Sequence, residues 1–279
     1  MSFILWPLKA LVEEFKISWA FNHRDLTATV VPFSLFTIAS SLESQSSPAS
    51  ILSNVAKSAT LAYMLLYTFT ISNQINGIEE DRLNKPDRPI VSGRISLQAA
   101  YTRYVLLSIA SLIYSRFMGV EEGAVMFMAF GAMHNFTELA SFGPTKDLLT
   151  TAVLTSGLYS AWELRGGTTR RGLEWIIYLA FNLLFSISIQ DLRDVIGDAA
   201  TGRHTTPLML GKPYVSEEQP SICIEGICIF DCDDGPFPGN SGSYATNHCR
   251  RQEDVSPLHA QILCEASLFF IRSISMISD

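Results

Sequence analysis

Charged residues are scarce in this chain, and that scarcity limits the class of protein it can be. Of its 279 residues, 17% are charged and 48% are hydrophobic, and the mean hydropathy is +0.22. This composition points away from one or two soluble domains. Apolar stretches near or above the ~18 residues of a membrane-spanning helix recur along the sequence, which one buried core helix or a signal peptide does not produce. We therefore predict an integral membrane protein embedded in a lipid bilayer.

Cysteine is absent from the first 222 residues. All five cysteines lie in the last part of the chain, and their odd number gives no clean disulfide framework. The same segment, residues 212–279, carries ten acidic and four basic residues and is rich in turn formers with little hydrophobic periodicity. We predict a helical membrane domain over residues 1–211 and a divergent, acidic, poorly ordered tail over residues 212–279.

An excess of basic residues is also missing. Outside the tail, 16 basic residues are accompanied by 17 acidic ones, so no basic stripe stands without matching carboxylates. The charge pattern therefore predicts no nucleic-acid partner.

Six apolar segments are present, and they predict an all-α fold, a multi-pass transmembrane helical bundle. Before them, residues 3–24 mix aromatic and charged side chains in a spacing typical of a helix at the membrane interface. Lys and Arg favour the N-terminus and the loops after even-numbered segments, eleven against four, which places these regions in the cytoplasm. The six segments are residues 26–42, 52–72, 97–115, 122–140, 148–163 and 173–190.

The first unusual motif, NQINGIEEDRLNKPDRPIVSGRIS, follows the second apolar segment at residues 73–96. On a helix, Asn73, Gly77 and Asp81 share one face, and Glu80 lies one step round. An amide and carboxylates thus point together at one helix end. Cations that could hold an anion follow directly, namely Arg82, Lys85, Arg88 and Arg94.

The second motif, QDLRDVIGDAATGRHTTPLMLG, follows the sixth segment at residues 190–211. Asp191, Asp194 and Asp198 recur at spacings of three and four, which aligns three carboxylates along one helix face. Like charges placed in this way repel each other, and a divalent cation would relieve the repulsion. A solvated helix end is the competing interpretation of either motif alone, but two acidic ends on one side of the membrane disfavour it.

Together the two motifs predict a site for a diphosphate bridged by magnesium. Mg²⁺ prefers one or two protein carboxylates, with phosphate oxygens and waters completing its coordination. An apolar helical chamber below the motifs would accept an isoprenoid tail. Metal and cations would stabilise departing pyrophosphate, leaving a carbocation in a dry cavity. We therefore predict Mg²⁺-dependent ionisation of a prenyl diphosphate.

Both motifs resemble the two Asp-rich signatures of the UbiA superfamily of intramembrane prenyltransferases, including their Asn-Lys-Pro, Arg-Pro and Ser-Gly elements. The resemblance covers roughly residues 15–211 and implies an all-helical bundle with a cytoplasmic cap over a central cavity. The family has nine spans and this chain supplies six, so the bundle is expected to be incomplete at its C-terminal end.

The resemblance also implies roles for individual residues. The family commonly has Asp where this chain has Gly77, so the first metal site has lost a ligand or shifted it to Glu80, and the glycine is similar to that of the fungal membrane terpene cyclases of the superfamily. The implied catalytic residues are Asp81, Asp194 and Asp198, and the implied diphosphate ligands are Arg24, Lys85, Arg88, Lys146 and Arg203. The implied magnesium ligands are Asn73, Glu80, Asp81, Asp191, Asp194 and Asp198.

Three functions remain open from the sequence. Gly77 favours terpene cyclisation with release of pyrophosphate as the first hypothesis. Prenyl transfer to an aromatic or other small acceptor is the alternative. A non-catalytic membrane protein on a degenerate enzyme scaffold is the third. The expected location is a multi-pass position in a membrane, the endoplasmic reticulum in a eukaryotic cell, with the active-site loops in the cytoplasm.

Overall fold

The computed structural model describes residues 2–190, 195–200, 202–210, 222–224 and 227–229. Asp191, Asp194 and most of the tail lie outside these residues. The described part is a helical bundle, with a 3-10 turn at Glu138–Ser141 and a short antiparallel hairpin formed by β1 (Ile222–Ile224) and β2 (Ile227–Ile229). Its helices are α1 (Ser2–Asn22), α2 (Leu26–Glu43), α3 (Pro48–Asn76), α4 (Ile78–Asn84), α5 (Leu97–Met118), α6 (Glu121–Phe136), α7 (Gly143–Glu163), α8 (Arg170–Gln190), α9 (Val195–Ala200) and α10 (Thr206–Leu210).

Local signals in the sequence set several helix ends. Ser47 caps α3 by accepting a hydrogen bond from the backbone nitrogen of Ser50 at 3.3 Å, and Pro48 occupies the first helical position, where its missing N–H costs nothing. Ser96 caps α5 in the same way. Gly119 ends α5 in the left-handed conformation, with φ of 71°, which a residue with a side chain rarely adopts.

Each of the six predicted apolar segments falls on a long helix: α2, α3, α5, α6, α7 and α8. The all-helical prediction is therefore confirmed. Boundaries differ by several residues, most clearly where α6 ends at Phe136 and α7 already begins at Gly143. Among the helices of the described part, one, Leu26–Glu43, is both long and apolar enough on average to cross a membrane. The number of six spans therefore remains a prediction.

The main core lies between α2, α3, α6 and α7 and contains large aromatic side chains, among them Phe33, Phe127 and Trp162. Small hydroxyl residues are buried between the same helices and bond to carbonyls of neighbouring helices. Thr37 donates to the carbonyl of Ala161 at 3.1 Å, and Ser160 donates to that of Val120 at 3.2 Å. Close packing around small polar residues is typical of helices that associate within lipid.

The outer surface is apolar where a soluble protein would be charged. On α5, Val105, Ile109, Ile113 and Phe117 are exposed at a spacing of four residues, which forms one continuous apolar stripe. An exposed stripe of this size needs an apolar environment, and a bilayer provides one. The surface thus agrees with the predicted contact with lipid.

Candidate active site

The first motif is built at the junction of α3 and α4. α3 ends at Asn76 and α4 begins at Ile78, so the single helix face predicted for Asn73, Gly77 and Asp81 is divided between two helices. Gly77 forms the junction because a glycine favours a break in a helix. The backbone bonds still run from Gly77 to Asn73 and from Asp81 to Gly77, each at 2.8 Å. The three residues therefore keep nearly the helical arrangement that was predicted.

Asp81 is buried against the loop that follows α4. Its side chain is 1% exposed, and one guanidinium nitrogen of Arg88 donates to both of its carboxylate oxygens, at 2.7 and 2.8 Å. Burial of a carboxylate requires such compensation, since an isolated buried charge is very costly. Pro86 and Pro89 stiffen the loop that carries Arg88. The structure thus places a predicted anion-binding arginine directly on a predicted metal ligand.

The two acidic motifs meet where α4 contacts α9. Arg203 links them: its guanidinium lies 2.5 Å from a carboxylate oxygen of Glu80 and 3.3 Å from one of Asp198. Asp198 is completely buried and Glu80 is half-buried. Two carboxylates that are far apart in sequence are therefore held around a single cation.

A cavity of about 220 Å³ lies between the end of α1 and the loop after α4, and it is lined by Arg88, the partner of Asp81. Arg24 lies in its wall and donates to both carboxylate oxygens of Asp87 at 2.8 Å. Arg88 and Arg94 also line the cavity, as does the buried side chain of Gln74. Three guanidinium groups and two aspartates face this small volume, so an anion would bind there by competing with Asp87 for Arg24.

The remaining predicted residues are spread around the same end of the bundle. Asn73 lies in the last turn of α3, Lys85 caps the C-terminal end of α4, and Lys146 lies in the first turn of α7, all half-buried. The predicted carboxylate row of the second motif cannot be compared, because Asp191 and Asp194 lie outside the described residues. The roles of all these residues stay predictions.

One buried carboxylate close to this region was missed by the sequence analysis. Asp147, just after the first turn of α7, is 4% exposed, and its Oδ2 accepts hydrogen bonds from Ser188 at 2.7 Å and Thr206 at 2.8 Å. Acidic residues near a helix N-terminus are common because they interact favourably with the helix dipole. Its position alone therefore carried no functional signal.

The donor set fits magnesium. Asp81, Glu80 and Asp198 offer carboxylate oxygens, which are hard ligands of the kind that Mg²⁺ prefers. Within the described ranges, no group of three or more His, Cys, Asp or Glu side chains forms a complete metal cage. Mg²⁺ bound to a phosphate needs no such cage, since it takes one or two carboxylates and completes its coordination with phosphate oxygens and waters.

The fold and site define a helical bundle of membrane type with two acidic motifs meeting at one end. The chain belongs to the UbiA prenyltransferase family, whose sequence profile matches residues 30–217. The predicted superfamily is thereby confirmed. Members of this family are embedded in membranes.

Individual relatives and a solved structure agree with this assignment. The chain is 33% identical to the somaliensene A/B synthase of Streptomyces somaliensis over 71% of this chain and 67% of that protein. It is 31% identical to the diterpene cyclase eriG of Hericium erinaceus, over 72% and 66% of the two chains. This chain thus spans about two thirds of the length of these relatives.

The structure of a UbiA homologue from Archaeoglobus fulgidus, bound to GPP and Mg²⁺, superposes with a TM-score of 0.61 over 70% of this chain and 69% of that one. The two sequences are 12% identical, so the similarity concerns the fold.

Proposed function

We propose that this protein ionises a prenyl diphosphate with Mg²⁺ and that the resulting cation cyclises within the bundle. The C–O bond between the allylic carbon and the diphosphate breaks, and its electron pair leaves with pyrophosphate. A double bond of the same chain then attacks the cationic carbon and closes the ring, and a proton next to the final cationic carbon passes to pyrophosphate, which gives a cyclic hydrocarbon. Mg²⁺ would supply the positive charge that stabilises the departing pyrophosphate.

The observation that carries the proposal is the meeting of the two acidic motifs. Glu80 and Asp198 come from helices that are distant in sequence, and Arg203 holds both. Buried ion pairs of this kind are poor stabilisers, because the desolvation of the charges cancels much of the attraction between guanidinium and carboxylate. Their presence therefore favours a functional role, and a metal-bridged anion is the ligand that suits carboxylates and guanidinium groups at one site.

Arginines beside the acidic motifs would bind the diphosphate. Arg24, Arg88 and Arg94 face the cavity next to Asp81, and their fixed forks of N–H donors match phosphate oxygens. The apolar core below them would enclose the prenyl chain and exclude water from the cation. Cyclisation is placed before transfer because of Gly77, which stands where the family commonly has Asp. Proteins named as cyclase, synthase and polyprenyl transferase are all similar to this chain. Prenyl transfer to a small acceptor is the second candidate, supported by the name of the family itself.

The test is product analysis with purified protein and farnesyl or geranylgeranyl diphosphate alone. We expect pyrophosphate release and a cyclic hydrocarbon with Mg²⁺, and neither after Mg²⁺ is removed with EDTA. Asp198→Asn should abolish release, because it removes a buried charge at the proposed metal site. Glu79→Gln serves as the matched control, since Glu79 lies on α4 but pairs with Arg82 at the surface.

The outcomes separate the candidates. If pyrophosphate is released only when an acceptor is added, the reaction is prenyl transfer and the proposal of cyclisation is wrong. If the wild-type protein releases no pyrophosphate from any prenyl diphosphate, with or without acceptors, both enzymatic proposals are wrong. The chain would then be a non-catalytic membrane protein on an enzyme scaffold.

A further inference from the structure

The buried carboxylate of Asp147 binds one residue just before the second acidic motif and one within it, on either side of Asp198 in sequence. Ser188, near the end of α8, lies three residues before Asp191, and Thr206, at the start of α10, lies eight residues after Asp198. Both hydroxyls donate to the same oxygen, Oδ2 of Asp147. A single carboxylate oxygen thus joins two residues that lie before and after Asp198 in the sequence.

Backbone contacts support the same closure from a neighbouring segment. The backbone nitrogen of His204 donates to the carbonyl of Ser141, and that of Gly143 donates to the carbonyl of His204, each at 2.8 Å. A Cβ on Gly143 would collide with the backbone nitrogen of Thr206 and lie 2.6 Å from its Oγ1. Only glycine allows this approach. Residues 141–147 therefore form a docking segment, which receives residues 204–206.

The chemistry of Asp147 argues for a role beyond packing. Its Oδ1 is buried and has no hydrogen-bond partner among the described residues. A buried polar atom left unsatisfied costs free energy, so an apolar residue would serve stability better at this position. A carboxylate oxygen, in contrast, accepts two hydroxyls at once and does so strongly because of its charge.

We propose that Asp147 is a positioning residue for Asp198: by holding Ser188 and Thr206, it fixes the chain on both sides of this buried carboxylate, one of the proposed ligands of Mg²⁺. This inference rests on the proposed function. Substituting a residue that orients a metal ligand typically lowers the metal affinity about 10- to 100-fold. Asp147 should therefore act on the magnesium requirement rather than on the chemical step.

The test compares Thr206→Val, Asp147→Leu and Asp147→Asn. Thr206→Val removes one hydroxyl from Oδ2 and keeps the shape of the side chain. We expect it and Asp147→Leu to raise the Mg²⁺ concentration for half-maximal pyrophosphate release about tenfold. Asp147→Asn keeps an acceptor oxygen but loses the charge, so its Mg²⁺ requirement should lie between those of the wild-type protein and Asp147→Leu. Thr150→Val is the control, because Thr150 lies on the same helix but bonds only to the carbonyl of Lys146 in its own helix.

A binding measurement keeps the inference separate from turnover. Mn²⁺ can replace Mg²⁺ as a paramagnetic probe, and its binding in the presence of pyrophosphate is followed by electron paramagnetic resonance. Thr206→Val should weaken Mn²⁺ binding about tenfold. If this weakening is seen but the wild-type protein releases no pyrophosphate, the proposed reaction is wrong and the inference about Asp147 still holds. A lower unfolding temperature with unchanged metal affinity would assign Asp147 a purely structural role and overturn the inference. So would the absence of Mn²⁺ binding by the wild-type protein.

Discussion

At the scale of single residues, Arg203 decides how the two motifs relate to each other. Glu80 and Asp198 would repel if they met without compensation, and the guanidinium between them removes that repulsion. Because Asp198 is completely buried, its charge depends on this partner far more than an exposed carboxylate would. Arg203 thus holds the site together before any anion binds.

Arg203→Gln should destabilise the protein by about 3 kcal/mol, the cost of removing one partner from a buried ion pair. The matched change Arg82→Gln should cost about 0.5 kcal/mol, because Arg82 and Glu79 pair at the surface of α4. Unfolding of both variants in detergent measures the difference. Equal stability of the two variants would mean that the link through Arg203 contributes nothing.

The sequence revealed the site residues unevenly. Asp81 was predictable because it shares a helix face with Asn73 and Gly77 at spacings of four, and Glu80 lies one step round from that face. The pairing of Arg203 with Glu80 was not, because it joins two motifs more than a hundred residues apart. Asp147 was missed for a related reason: its partners Ser188 and Thr206 come from other elements, and only the tertiary fold brings them together.

At the scale of helices, hydrophobic runs predicted the positions of the six long elements well. They did not predict the end of α3 at Asn76, since a single glycine inside a helical pattern is often tolerated. They also placed the start of α7 at residue 148, because Thr145, Lys146 and Asp147 interrupt the apolar run although they already belong to the helix. A helix that begins with polar residues cannot be recognised at its first residue from hydrophobicity alone.

Packing between α2 and α7 depends on Gly157. A Cβ on this residue would overlap the ring of Phe33, which is buried in the main core. Gly157→Ala should therefore destabilise the bundle by about 1–3 kcal/mol through overpacking, despite the better helix propensity of alanine. Thermal unfolding in detergent checks this, with Ser53→Ala on the exposed side of α3 as control. A variant as stable as the wild-type protein would show that α2 and α7 are not packed this closely.

At the scale of the whole molecule, the described helices and the family match end close together. α10 ends at Leu210, and the family profile ends at residue 217. We propose that residues 212–279, with ten acidic residues and all five cysteines, take no part in the reaction.

Truncation after Gly211 tests the proposed boundary. We expect unchanged membrane yield and unchanged Mg²⁺-dependent pyrophosphate release, because the truncated chain keeps the described helical bundle and both acidic motifs. Full-length protein prepared in parallel is the control. Loss of both properties on truncation would show that the tail completes the bundle.

The docking segment also has a consequence for biogenesis. His204 pairs with Phe142 across 62 residues of chain, so α7 and α8 are synthesised between the two halves of this contact. Contacts between residues distant in sequence form late, because the entropy of the intervening loop must first be overcome. We expect the helices of the bundle to associate first, and residues 204–206 to dock only afterwards. The proposed Mg²⁺ site would therefore be incomplete in a nascent chain until residue 206 has left the ribosome.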